Sequence, residues 1–345
     1  MPAEAGVSLH WRSAPAILLR PDGASRGVAR QSSLYVRHDD HWGQQMTRTG
    51  NLVIEHAGQP LPIAVKLRLT GDHLLLFMHG LGCAKECFDG AFAAEALDDF
   101  SICTFDFPGH GDSGQPDASC YSLQAYAEVV NAIIDRLGLS RVSLIAHSMG
   151  GAVGLIATQG RADVDCFIDV DGNLVSEDCS ASRATAEQPL DSFIKHGSSE
   201  FLAGLRRSGR PDLGAWAAWC ARAQPAAVHG IAGSLVEWSD NGKLLDLFTS
   251  LRNKVYVYGT NEQKQYLTPR LRKVPVRRIA GAGHFPMLDD PASFYSLLAE
   301  FVPAAGPAAA NLTARRRDAV YSLIAQPRSA AEPAGQQASG LAGGR

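Results

Sequence analysis

Along residues 50–303 short apolar runs alternate with segments whose apolar positions recur at helical spacing. The runs suit strands buried in a sheet, and the periodic segments suit helices with one buried face. Eight strands are predicted: Leu52–His56 and Val65–Leu69 as an antiparallel pair, then Leu74–Met78, Ser101–Phe105, Val142–His147, Cys166–Val170, Val255–Tyr258 and Val276–Ile279. Tyr126–Leu137 and Pro291–Val302 read as helices, the second opening on a proline, which a first helical turn tolerates. The alternation predicts an α/β fold with a mostly parallel eight-stranded sheet and helices on both faces.

The pattern breaks in three places. Residues 174–250 lie between two predicted strands, are helix-rich, and hold Trp216, Trp219 and Trp238. Inserted at a strand's carboxyl end, they are expected to form a helical cap or lid, leaving 49–173 and 251–303 as the core. Residues 1–48 have poor periodicity and read as an irregular extension, its His38-Asp39-Asp40-His41 cluster as a solvated loop rather than a metal site. Past Ala304 the composition turns to Ala, Gly, Pro, Gln and Ser, which predicts a disordered tail over 304–345 with at most one short helix near Val320–Ile324.

At 345 residues and 46% apolar content the chain can bury a full core, and a net charge of −3 leaves no basic footprint for nucleic acid or acidic lipid. A small-molecule substrate is therefore the expected partner, and Arg315-Arg316-Arg317 is expected to be solvated. The seven cysteines are scattered without a framework or zinc-site spacing, so reduced thiols and no metal are expected. The amino terminus lacks the pattern of a secretory signal, and no apolar run approaches membrane-spanning length; a cytoplasmic location is the default expectation.

The candidate chemistry centres on Val142-Ser143-Leu144-Ile145-Ala146-His147-Ser148-Met149-Gly150-Gly151, where one serine stands between an apolar strand and a glycine-opened helix. That is the layout of a nucleophile elbow, whose tight turn exposes the hydroxyl and demands small neighbours. Three further tracts follow predicted strands: His79-Gly80-Leu81-Gly82, Asp106-Phe107-Pro108-Gly109-His110-Gly111-Asp112-Ser113, and Gly281-Ala282-Gly283-His284-Phe285-Pro286. In this order and spacing they resemble the α/β-hydrolase superfamily over roughly residues 50–303.

The resemblance implies a Ser, acid, His triad with Ser148 as nucleophile and His284 as base. Glu262, in Tyr258-Gly259-Thr260-Asn261-Glu262, falls where the superfamily usually carries its acid, and Asp171, one strand earlier, is the alternative. Backbone amides of Leu81 and Met149 are the expected oxyanion hole, and His147, Trp216 and Trp219 the expected pocket residues. Phe193, Phe201 and Leu202 are weighed as acyl-pocket lining against plain helix packing. His110 and Asp112 read as loop-stabilising partners, not proton shuttles.

Gly80–Glu86 and Asp171–Cys179 resemble a subgroup of bacterial α/β-hydrolases whose substrates are poorly defined. The parts fit hydrolysis of a carboxylic ester or thioester with a small or medium apolar acyl group, through an acyl-enzyme and without a cofactor. Carbon–carbon or amide cleavage, or a non-catalytic ligand-binding role, are the alternatives.

Overall fold

The computed structural model describes residues 46–304 and 312–325. Nine strands form one mixed sheet: β1 Thr47–His56, β2 Gln59–Arg68, β3 His73–Met78, β4 Ser101–Phe105, β5 Arg141–His147, β6 Val164–Val170, β7 Lys254–Gly259, β8 Val276–Ile279 and β9 Ile324–Ala325. Their order across the sheet is β8-β7-β6-β5-β3-β4-β2-β1-β9. β3 to β8 pair in parallel, while β1 and β2 form the expected antiparallel hairpin. The hairpin turns on Ala57 and Gly58, both with positive φ, the geometry a two-residue loop between twisted strands requires.

β3 and β4 are buried along their whole length, which is why they read as unbroken apolar runs rather than alternating ones. Helix α2 Met149–Ala157 is buried along its whole length, while α1 Leu123–Leu137 buries one face and exposes the other. α1 begins three residues before its predicted start because the Ser122 side chain accepts from the Ala125 amide, and it ends at Gly138 in the left-handed region. Between β6 and β7 come α3 Ser180–Ala186, α4 Leu190–Ser192, α5 Ser198–Arg207, α6 Pro211–Cys220, α7 Pro225–Asp240 and α8 Lys243–Ser250. The chain then adds α9 Pro286–Asp289, α10 Pro291–Phe301 and α11 Ala314–Tyr321.

β3 pairs with β4 on one side and β5 on the other. The chain therefore reverses its winding direction at β3, and the crevice outside the carboxyl ends of β3 and β5 is where such sheets hold ligands. The loops bearing His79–Gly82 and Ser148 open into it.

The ends depart from expectation. β1 starts at Thr47, so the boundary expected at 48 falls inside a strand; residues 1–45, with the His38–His41 cluster, lie outside the described residues. Residues 312–325, expected within a mostly disordered tail that held at most one short helix near Val320–Ile324, form α11 and β9. Leu312, Val320, Tyr321 and Ile324 are buried, β9 extends the sheet beside β1, and the Tyr321 hydroxyl accepts from the Leu69 amide at 3.0 Å. Arg316 is likewise tied down, donating to the Gly138 carbonyl and pairing with Asp72 at 3.2 Å. All seven cysteines are free and buried. Among the described residues no helix is long and apolar enough to cross a membrane.

Candidate active site

Ser148 sits at the junction of β5 and α2 with φ 54° and ψ −122°, a conformation that costs a non-glycine residue energy and persists only where its surroundings enforce it. Its amide donates to the Val170 carbonyl of the next strand at 3.0 Å. The glycines that follow let α2 come down onto the sheet. A methyl group at Gly150 would stand 2.6 Å from the Met78 carbonyl oxygen, and one at Gly151 would stand 2.5 Å from Asp169 Oδ1. Ser148 itself is half-buried, and its hydroxyl lies 3.4 Å from Asn173 Oδ1.

His284 follows β8 and is joined to Asp171, whose Oδ2 accepts from His284 Nδ1 at 2.7 Å. This leaves Nε2 as the ring nitrogen not engaged by Asp171. Asp171 is fully buried at the carboxyl end of β6, with φ 48° and its amide bonded to the Val257 carbonyl at 2.7 Å. Of the two candidate acids, Asp171 and not Glu262 carries the hydrogen bond to the ring. Glu262 lies beside Gly283, and the loop after β7 presents a different group, Lys264, to Asp171 at 2.6 Å.

Burial acts to raise the Asp171 pKa, but Lys264 and His284 overcome it and hold the carboxyl well below the usual range. Burial opposes the charged form of His284, yet Asp171 outweighs it and raises the imidazole above its ordinary value. Glu262 moves the other way, raised by burial and by the Asp171 charge.

The loop after β3 is held by neutral histidines. His79 Nδ1 donates to the Gly80 carbonyl at 2.8 Å while Nε2 accepts from the Phe107 amide at 3.0 Å. His110 Nε2 accepts from the Gly82 amide at 3.3 Å. Both rings can accept only when deprotonated at that nitrogen, and burial keeps them so, depressing His110 to about 4. Asp112, with buried Asp106, engages Lys85 in the adjoining loop.

Trp216 of α6 donates its indole N–H to the Leu81 carbonyl at 2.7 Å, and its ring centroid is 6.4 Å from that of His284. The insertion thus touches both the glycine loop and the histidine. Trp219 packs on Phe285. His147, expected at the pocket edge, has no exposed surface, and its Nε2 donates to the His284 carbonyl at 2.8 Å. Phe193, Phe201 and Leu202 line a cavity of about 260 Å³ together with Cys220 and Val228. Lys264, Asn173 and Asp178 were not singled out in the sequence, and only the Asp171–Cys179 tract pointed near two of them.

Residues 75–297, well over half of the chain, match the model of the alpha/beta hydrolase family. The chain belongs to the alpha/beta hydrolase family. This α/β hydrolase is 26% identical over 294 residues to an uncharacterized Mycobacterium tuberculosis protein, covering 73% of the chain and 82% of the relative. It is 24% identical over 242 residues to a Mycoplasma genitalium protein named as a candidate esterase/lipase, covering 67% and 89%. Among solved structures it is similar to a mutant N-acyl homoserine lactonase AidH complexed with N-hexanoyl homoserine (TM-score 0.61, 20% identity, 74% of this chain and 96% of that one). It is also similar to a thermophilic esterase from Thermogutta terrifontis (TM-score 0.60, 20% identity, 74% and 98%). At these identities the two structures speak to the fold of the α/β hydrolase, which they share.

Proposed function

We propose that this α/β hydrolase cleaves carboxylic esters or thioesters of small or medium apolar acids through an acyl-enzyme on Ser148. The observation that carries the reading is the 2.7 Å bond from His284 Nδ1 to Asp171, which leaves Nε2 free, beside a serine held separately on a strained elbow in the same chain order. Ser148 Oγ attacks the acyl carbon as His284 Nε2 takes its proton, and Asp171 stabilises the imidazolium. The amides of Leu81 and Met149 receive the oxyanion. Collapse of the tetrahedral species breaks the bond to the alcohol or thiol, which leaves with the proton from His284. Water, deprotonated by the same ring, then releases the acid and restores Ser148.

The helical insertion acts as the cap. Its cavity of about 260 Å³ is lined mainly by apolar side chains, and its Cys220 wall adjoins Gly82, where an added methyl would meet Cys220 Sγ at 2.8 Å. That volume is below the roughly 300–1,000 Å³ of drug-sized sites and suits a modest acyl chain. The Mycoplasma relative named for esterase or lipase activity agrees with this chemistry.

The test is turnover of p-nitrophenyl esters and acyl thioesters of increasing chain length by the purified protein and its Ser148→Ala variant. Turnover that peaks at short to medium chains and disappears in the variant supports the reading. Turnover that persists in the variant overturns it.

A further inference from the structure

Lys264 is a buried lysine, and a lysine out of water needs opposing charge to remain an ammonium. It has two carboxylates: Nζ lies 2.6 Å from Asp171 Oδ1 and 2.9 Å from Asp178 Oδ1. Asp171 thus has one oxygen on Lys264 and the other on His284. Asp178 is equally engaged. Its Oδ2 accepts from the amides of Leu174 at 3.0 Å and Val175 at 3.1 Å, and its Oδ1 accepts from the Tyr266 hydroxyl at 2.6 Å. Asn173 closes the circuit, donating to the Asp178 carbonyl at 2.9 Å with its side-chain oxygen 3.4 Å from Ser148 Oγ.

We propose that Lys264 is a positioning residue that sets the proton affinity of the Asp171–His284 pair by dividing its ammonium between Asp171 and Asp178. The proposal rests on the reading of His284 as base, and it concerns a residue that touches no reacting atom. A carboxylate with only the imidazole for company would hold the imidazolium so tightly that the base stayed protonated near neutrality. An ammonium on the far oxygen draws off part of that charge, so the ring is oriented by Asp171 yet released as a free base. Asp178 tempers the ammonium in turn and ties it to the segment that leads into the insertion.

The charged and titratable groups facing this cluster are consistent with that division. Lys264 faces Tyr256 on β7, Asp171 and Asp178 on the segment after β6, and Tyr266 on its own loop. His284 faces Asp171, Glu262 and Lys264, with His147 against its ring. Asp169 is also buried, and burial together with the charges of Asp178 and Asp171 raises its carboxyl well above the usual range.

The test is the titration of the His284 ring followed by NMR of the full chain labelled at histidine nitrogen, with the signal assigned by its loss in His284→Gln. In Lys264→Met the pair is expected to hold its proton to higher pH, with the midpoint raised by roughly one unit. Asp178→Asn, which leaves the ammonium less neutralised, is expected to lower it. Lys264→Arg is expected to restore most of the wild-type midpoint. Unchanged midpoints in both Lys264→Met and Asp178→Asn overturn the proposal, as does a uniform loss of activity with no shift, the mark of a purely structural anchor. If Lys264→Met does not fold, Asp178→Asn decides alone by the sign of its shift. Absence of fluorophosphonate labelling at Ser148 in the wild type overturns the nucleophile reading instead, and leaves the comparison of midpoints intact.

Discussion

His147 Nε2 donates to the backbone carbonyl of His284 at 2.8 Å, so the residue just before Ser148 fixes the loop that carries His284. The two rings stand 4.7 Å apart, and burial together with the neighbouring His284 depresses His147 to about 3. It is therefore neutral throughout the working range and acts as a hydrogen-bond donor, not a second base. His147→Phe keeps a flat ring against Phe285 but removes the donor. It is expected to lower kcat roughly tenfold, the effect of a bond worth about 1–1.5 kcal/mol, with little change in KM and no shift in the pH profile. Steady-state kinetics across pH checks all three.

The two candidate acids are separated by their contacts. Asp171→Asn removes the acceptor that selects the imidazole tautomer and is expected to reduce kcat on the order of 10³–10⁴-fold. Glu262→Gln, which breaks no bond to the ring, is expected to stay within roughly tenfold of the wild type. Both are read on whichever ester the wild type turns over best, with circular dichroism confirming the fold.

The pH dependence follows from the direction of the shifts. Asp171 raises His284 above the ordinary imidazole value of about 6.5, and in the proposed mechanism only the neutral ring takes a proton from Ser148. Activity is thus full above the raised value and falls as pH drops through it. Asp171 itself titrates far below and adds no second step in that range. The acid limb of kcat/KM is expected above pH 6.5, as a single ionisation.

Trp216 offers a test of the glycine loop. Its indole N–H holds the Leu81 carbonyl, and with it the orientation of the neighbouring peptide units. Trp216→Phe keeps most of the packing and loses the bond. It is expected to cost about 1 kcal/mol of transition-state stabilisation, near fivefold in kcat/KM. A change in KM alone would instead assign Trp216 to ground-state binding.

The carboxyl-terminal segment is expected to matter for stability rather than chemistry. Tyr321→Phe leaves the buried Leu69 amide without its acceptor and is expected to lower the unfolding free energy by about 1–3 kcal/mol, read by urea denaturation, with kcat unchanged.

What could be read from the chain follows the range of the interactions. The elbow, the glycine loop and the strands around them are specified locally: small residues where backbones touch, apolar runs where both faces are covered. The choice between Asp171 and Glu262 was not local, since both follow parallel strands at carboxyl ends. It turned on which side chain reached His284, and on the ammonium of Lys264 taking up the loop's side of Asp171. Burial of His147 was invisible for the same reason, because its partner lies 137 residues away. In the segment 312–325 only one short helix near Val320–Ile324 was legible, because a two-residue strand and a helix of low mean hydropathy leave little pattern. Its anchors, Leu312, Val320, Tyr321 and Ile324, are too few to outweigh the surrounding composition.

The most direct measurement is labelling by a fluorophosphonate probe, with the modified peptide located by mass spectrometry in the wild type, His284→Gln, Asp171→Asn and Glu262→Gln. The account predicts modification at Ser148, fast in the wild type and Glu262→Gln and severely slowed in the other two. Modification at another residue, or labelling of Ser148 as fast in Asp171→Asn as in the wild type, would contradict it.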